Sequence, residues 1–320
     1  MSHMPRGSAA FLCLSMYERI SAVPSTSPSS SHRRIALSQN FLTNQGLVVR
    51  LIDQSSIGPD DIVVEIGPGA GAITDLLARC CRRVVAIEKD ERLAELLRRR
   101  FCHDERVDIR HADFLCVPPP NTPYKVFANI PFNVTTAIVT RLVTAPNSPE
   151  DCYLVVQREA AAKFVGTPRG SLYAALMKPW FEPSLVHHFQ RADFAPPPSV
   201  EVVMLRLRKR GPPFIAPADA RLYRDFVTYC FTAWQLSLRH TLKGLFSPRQ
   251  VRHIELLLAV DLDATPTAVP FEQWLELFRE FRRVGAKEAR ARVQGAGRQL
   301  QRQQADLTKI HRTRVQRQAQ

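Results

Sequence analysis

Apolar residues recur along this chain in two periods, and the change from one to the other divides it. Between about residues 60 and 208, short continuous apolar runs alternate with stretches whose apolar residues return every three or four positions. Ile62-Val63-Val64, Val84-Val85-Ala86-Ile87, Val107 to His111, Tyr124 to Ala128 and Cys152 to Val156 read as strands, and the stretches between them as amphipathic helices. Ser184 to Phe189 and Val200 to Leu207 read as an antiparallel pair joined through the proline-rich loop 196–198. Strands alternating with helices and closed by a hairpin predict an α/β fold with a Rossmann-like sheet. After Arg208-Lys-Arg-Gly-Pro-Pro213 the helical period takes over, with helices predicted at Ala218–Ala233, Leu238–Phe246, Pro248–Val260 and Pro270–Val284. A small all-helical C-terminal domain is therefore expected.

The ends of the predicted strands carry the chemistry. Glu65-Ile66-Gly67-Pro68-Gly69-Ala70-Gly71 follows the first run and opens a helix. Glycines let the backbone pass close to a ligand, and the helix N-terminus beyond them offers N–H groups to an anion. This spacing also fits an oxidoreductase. Glu88 ends the next run, placed where a carboxylate accepts both hydroxyls of a ribose, and Asp113-Phe114 follows the third, an acceptor for an adenine amino group beside an aromatic edge. Either acid alone is more simply a solvated strand end. Four such features in strand order argue for a nucleotide cofactor.

The fourth is Asn129-Ile130-Pro131-Phe132, where the Tyr124–Ala128 run stops. The Asn129 side-chain oxygen accepts a hydrogen bond from an NH2 group. Pro131 lacks an N–H and fixes φ, so the preceding carbonyl can face the same NH2. Phe132 offers a flat face to an extruded base, worth roughly 1–3 kcal/mol in stacking. The same tetrapeptide also suits a strand-to-helix turn capped by Thr135 or Thr136, and alone it does not decide.

With these residues in place, the chain resembles the S-adenosylmethionine-dependent ribosomal RNA adenine-N6 methyltransferases, and within them the Erm type that acts on 23S rRNA. The resemblance runs from about Arg34 to Arg208 and includes Ser38-Gln39-Asn40-Phe41-Leu42 and Phe194-Ala-Pro-Pro-Pro-Ser-Val200. It implies that Asn40 and the Leu42 backbone hold the methionine end of S-adenosyl-L-methionine, with Gly67, Gly69 and Gly71 turning beneath it. Glu88 would take the ribose, Asp113 the adenine amino group, and Asn129 would lie between cofactor and substrate. Asn129, Pro131 and Phe132 are then the catalytic set. Phe132 stands where many relatives have Tyr, so a hydroxyl is not expected to be needed. The resemblance further implies dimethylation, monomethylation remaining open, of one adenine in the peptidyl-transferase loop of 23S rRNA. The expected consequence is macrolide, lincosamide and streptogramin B resistance. The expected partner is 23S rRNA, protein-free or in an early assembly intermediate, met by a monomer.

Three rivals stay open. A 16S rRNA dimethyltransferase of ribosome biogenesis shares fold and chemistry. Ser38, Ile130 and Trp234-Gln235-Leu236, where the 16S type carries a basic cluster, count against it. A non-catalytic rRNA-binding or transcription factor on the same fold would not need intact cofactor positions. A DNA adenine methyltransferase would be expected to carry Asp at position 129.

Composition adds the outline. The net charge of +14 falls largely at the end of the chain, where residues 282–320 hold eleven Lys and Arg against Glu288 and Asp306. The predicted organisation is a disordered N-terminal extension at 1–32, the Rossmann-like catalytic domain at 33–208, a helical domain at 209–283, and a disordered basic tail at 284–320. The resemblance makes the helical domain rRNA-binding, and the tail reads as a phosphate-binding arm or, more simply, as a solubilising extension. Ala9 to Tyr17 is a short apolar stretch without a convincing cleavage site, and no run reaches membrane-span length, so a cytoplasmic location is expected. Seven cysteines (Cys13, Cys80, Cys81, Cys102, Cys116, Cys152, Cys230), with no C-x-x-C spacing, predict reduced thiols. His187-His188 falls in a strand, one ring inward and one outward, so no metal is expected. No Walker loop or Ser-His-Asp arrangement is present.

Overall fold

The apolar runs pair into one sheet. In chain order the strands are β1 (Phe41–Leu42), β2 (Ile62–Ile66), β3 (Arg83–Glu88), β4 (Val107–His111), β5 (Lys125–Asn129), β6 (Asp151–Gln157), β7 (Phe181–His188), β8 (Phe194–Ala195) and β9 (Val202–Lys209). This computed structural model describes residues 40–233, 237–258 and 261–303. The expected N-terminal extension, Ser38, Gln39, Trp234-Gln235-Leu236 and residues 304–320 lie outside the described residues.

Seven strands run in the order β4-β3-β2-β5-β6-β9-β7. The first five are parallel, and β9 is antiparallel to both its neighbours, as the predicted hairpin requires. From β2 the chain steps outward to β3 and β4, then returns to the other side of β2 for β5 and β6. The sheet therefore changes direction between β2 and β5, and in open α/β sheets the ligand crevice forms outside the carboxyl ends at that point.

Alternation along the strands separates two cores. Val63, Val84, Ala86, Phe127 and Tyr153 face α1 (Gln45–Asp53) and α2 (Ala72–Cys80). Val64, Val85, Val126, Ala128 and Leu154 face α4 (Thr135–Thr144), α5 (Arg158–Val165) and α6 (Leu172–Met177); α3 (Glu91–Arg100) links β3 to β4. Buried on both faces, the strands read as continuous apolar runs. Side chains start several helices: Asn44 accepts from Leu47 N–H, Asp90 from Arg92 and Leu93, and Ser171 from Ala174. Each such cap is worth about 1 kcal/mol.

A third core belongs to α7 (Ala220–Thr232), α8 (Leu238–Lys243), α9 (Pro248–Leu258) and α10 (Phe271–Val284), built around Tyr223, Phe226, Trp274, Phe278 and Phe281. It is joined to the sheet domain through α6, whose Ala175 carbonyl accepts the Tyr223 hydroxyl at 2.8 Å. The expected start at Ala218 falls in a 3-10 turn, Pro217–Asp219, which precedes α7. α8 stops at Lys243, short of the expected Phe246.

The tail departs from its expectation. Inside the stretch predicted to be disordered lie α11 (Lys287–Val293) and helical residues 296–303. Ala289 and Val293 enter the third core, and the Gly295 and Gly297 N–H groups donate to the buried Asp225 carboxylate at 3.0 and 2.9 Å. Few apolar residues suffice here because a buried acid on α7 needs donors and the tail backbone supplies them. Composition counts neither.

Candidate active site

At the switch point β2 runs into a turn that only glycine fits. Gly67, Gly69 and Gly71 all adopt left-handed φ, at +68°, +58° and +82°. Gly71 caps α2, and a Cβ there would lie 2.7 Å from Leu97; one on Gly69 would lie 3.0 Å from the Phe41 ring. The turn is thus pressed between α3 and the segment that precedes α1.

That segment is fixed from a distance. β1 pairs antiparallel with β8, Phe41 opposite Ala195 and Leu42 opposite Phe194, and the Asn40 side chain donates to the Pro196 carbonyl at 2.7 Å. The Thr43 N–H donates to the Asp193 carbonyl at 2.8 Å, and Asn44 Nδ2 to Asp193 Oδ1 at 2.9 Å. Two motifs some 150 residues apart in the chain form one clamp. Asp193, buried within it, has no signal in the sequence; an aspartate before a proline-rich loop is ordinary turn chemistry.

The clamp reaches Asn129, the last residue of β5, whose Nδ2 donates to the Asn40 carbonyl at 2.8 Å. Asn40, Phe41, Gly67, Asn129, Ile130, Pro131 and Phe132 line one cleft. Ile130 is buried, Phe132 half-buried, and Pro131 leads a 3-10 turn, Phe132–Val134. The alternative of a threonine cap does not hold: α4 is preceded by Val134, and the Thr135 hydroxyl donates back to the Phe132 carbonyl at 3.0 Å.

Glu88, at the end of β3, is 5% exposed rather than solvated. Its Oε2 accepts from Gly69 N–H at 3.1 Å, and its Oε1 from Lys89 and Asp90 N–H at 2.8 and 2.9 Å. This ties the strand end to the glycine turn. Asp113 accepts from Leu115 N–H at 3.0 Å and pairs with Lys89 Nζ at 2.8 Å. Sequence reasoning passed over Lys89, and no spacing rule would have found it. It also passed over Glu65, which interrupts an apolar strand. Glu65 is 1% exposed, accepts the Thr74 hydroxyl at 2.6 Å, and has its pKa pushed up to about 8 by burial, offset in part by that hydrogen bond and reinforced by the charge of Glu88.

The family model for ribosomal RNA adenine dimethylase matches residues 30–283. The chain belongs to that family. An rRNA methyltransferase of Streptomyces thermotolerans is 34% identical over 252 residues, covering 78% of this chain and 84% of that protein. The ribosomal RNA small subunit methyltransferase A of Xylella fastidiosa is 30% identical over 227 residues, covering 68% and 86%. Among solved structures, the 23S rRNA methyltransferase ErmE superposes with a TM-score of 0.69 at 33% identity, covering 76% of this chain and all of that one. Membership in the ribosomal RNA adenine dimethylase family makes S-adenosylmethionine the cofactor and rRNA the partner. The residues present fit it. Gly67, in left-handed conformation, brings its backbone to the cleft wall without a side chain, and an inward carboxylate sits at the next strand end. Among the described residues, no group of three or more His, Cys, Asp or Glu could hold a metal ion, and no helix is long and apolar enough to cross a membrane.

Proposed function

We propose that this chain transfers methyl groups to N6 of one adenine in the peptidyl-transferase loop of 23S rRNA, and that it thereby confers macrolide, lincosamide and streptogramin B resistance. The observation that carries the chemistry is the Asn129 to Asn40 hydrogen bond. A carbonyl oxygen only accepts, so the amide nitrogen must face it and Oδ1 is turned the other way. Oδ1 then accepts one N6 hydrogen of an extruded adenine, and the Ile130 carbonyl beside Pro131 accepts the other. Phe132 supports the ring. Held this way, the N6 lone pair is withdrawn from the ring and aimed into the cleft.

S-adenosylmethionine supplies an electrophilic methyl group when bound. Asn40 and the Leu42 backbone would hold its methionine end, Glu88 its ribose and Asp113 its adenine, with Gly67, Gly69 and Gly71 beneath. Orientation supplies most of the rate in this arrangement. No strong base is required of the protein, because the amine becomes acidic as it is alkylated and releases its proton to water.

Support for 23S rRNA over 16S rRNA comes from the ErmE likeness along most of this chain. Primer extension on rRNA from a sensitive host with and without the gene tests it. A methylation stop in 23S rRNA with raised macrolide resistance is expected. A modification confined to 16S rRNA without change in drug sensitivity would transfer the assignment to the small-subunit dimethyltransferases. The DNA alternative is disfavoured at position 129, where Asp would set a carboxylate oxygen against the Asn40 carbonyl.

A further inference from the structure

A second cleft, of about 350 Å3, opens between the far end of α4, helix α6, helix α7 and the ordered part of the tail. It shares no residue with the active-site cleft. Thr140 and Thr144 of α4 line it, roughly 10–15 Å along that helix from the turn that carries Phe132. Its volume lies within the rough 300–1,000 Å3 range of small-molecule sites.

The lining combines an apolar body with a cationic rim. Val143, Tyr173, Leu176, Met177 and Leu300 give the apolar wall. Arg221, Arg224 and Arg298 stand around it, and none of the three has a carboxylate partner among the described residues. Arg224 lies over the Trp180 ring at 5.1 Å, which fixes its guanidinium without neutralising it. The one acid in the lining, Asp225, is already occupied by the Gly295 and Gly297 N–H groups. Three guanidinium charges against one carboxylate leave the site with an excess of positive charge, so the complementary ligand is an anion.

One further atom narrows the class. The Thr228 hydroxyl, on a residue 1% exposed that lines the cleft, has no hydrogen-bond partner. Buried polar groups are nearly always paired, so a ligand that offers this hydroxyl a partner is favoured over one that does not. An alkyl chain filling the cleft would leave it unsatisfied. A flat ring with a polar edge satisfies it while covering the apolar wall, and a phosphate on the same molecule meets the arginines.

We propose that this cleft is a nucleotide site, the base directed to Thr228 and the phosphate to Arg221, Arg224 and Arg298. The nucleotide is either free or a second unit of the bound rRNA, displaced from its stack behind the catalytic helix. The tail completes the site, since Arg298 and Leu300 both come from it. The assignment rests on membership in an rRNA-modifying family and not on the choice of 23S over 16S rRNA.

The test uses the full chain with its cofactor site saturated by S-adenosylhomocysteine, so that adenine there does not compete. Equilibrium dialysis measures AMP and inorganic phosphate, and filter binding measures a protein-free rRNA hairpin. Thr228→Val and Arg224→Gln are compared with Arg221→Gln, whose exposed side chain keeps the test sound if Arg224→Gln fails to fold. A free-nucleotide site binds AMP at least tenfold tighter than inorganic phosphate, and loses at least threefold in each folded variant. An rRNA-nucleotide site shows at least threefold weaker hairpin binding in the same variants, with S-adenosylhomocysteine affinity unchanged. AMP binding no tighter than inorganic phosphate, together with unchanged hairpin affinity in the folded variants, overturns the proposal.

Discussion

The Asn129 side-chain nitrogen donates to the main-chain oxygen of Asn40 across 2.8 Å, joining the end of β5 to the strand pair clamped by Asp193. One amide therefore has its two ends assigned, nitrogen to the protein and oxygen to the cleft. Removing the oxygen should cost turnover and spare cofactor affinity, because its work is done as N6 changes geometry. Asn129→Ala is expected to lose at least about tenfold in single-turnover rate, roughly 1.4 kcal/mol or more of barrier. Asn129→Asp should do no better than Ala, since a carboxylate cannot donate to Asn40. Wild-type rates in either variant would remove Asn129 from the reaction.

Glu88 does two jobs that substitution can separate. Its carboxylate accepts three backbone N–H groups and is also the acceptor proposed for the ribose. Glu88→Gln keeps the shape and one carbonyl oxygen but loses the charge. It should weaken S-adenosylmethionine binding by about 1.5–3 kcal/mol, the range for hydrogen bonds to charged groups, with rRNA affinity unchanged. Glu88→Ala should in addition lower the unfolding temperature, because Gly69, Lys89 and Asp90 lose their acceptor. Calorimetric titration separates the two, and an unaltered cofactor affinity in Glu88→Gln would leave the residue a purely structural anchor.

The tail, expected to be dispensable for folding, carries part of the third core. Ending the chain after Arg283 removes the buried Val293 and strips the Gly295 and Gly297 donors from Asp225. Losing a buried aliphatic contact and leaving a buried carboxylate unpaired should cost on the order of 2–5 kcal/mol. Ending it after residue 303 should leave urea denaturation unaltered. The second truncation still removes Lys309, Arg312, Arg314 and Arg317. If these meet phosphates, the slope of log K against log salt flattens, with fewer counterions released. An equal loss of stability in both truncations would refute the Asp225 anchor.

What the sequence disclosed and what it withheld divide along a physical line. The inner parallel strands are buried on both faces, so Val63-Val64, Val84 to Ile87 and Val126 to Ala128 are continuous apolar runs that mark themselves, and their carboxyl ends mark the cleft. Gly67, Asn129 and Glu88 were legible because they sit at those ends. The pairing of Phe41 with Ala195, the bonds of Thr43 and Asn44 to Asp193, and the seat of Gly295 on Asp225 were not, because each joins segments about 70–150 residues apart, and all but the Asn44 bond use a main-chain N–H or carbonyl that carries no residue-type signal. Periodicity records which face is buried. It does not record which carbonyl a distant amide will find.

Glu65 makes stability depend on pH in a definite direction. Its carboxyl is protonated more readily in the folded protein, where burial raises its pKa to about 8, than in the unfolded chain, where it titrates near its ordinary value of 4.5. Between those values the folded state binds the extra proton, so raising the pH favours unfolding. The contribution is fully present below about pH 4.5 and is lost as pH rises to about 8. Neutral Glu65 is also the form that can both donate and accept at Thr74. Glu65→Gln, uncharged at every pH, should flatten this fall, leaving the urea midpoint at pH 8 closer to its value at pH 5 than in the wild type. An identical pH profile for the two proteins would mean that Glu65 is ionised in the folded state and that its charge is compensated by groups other than Thr74.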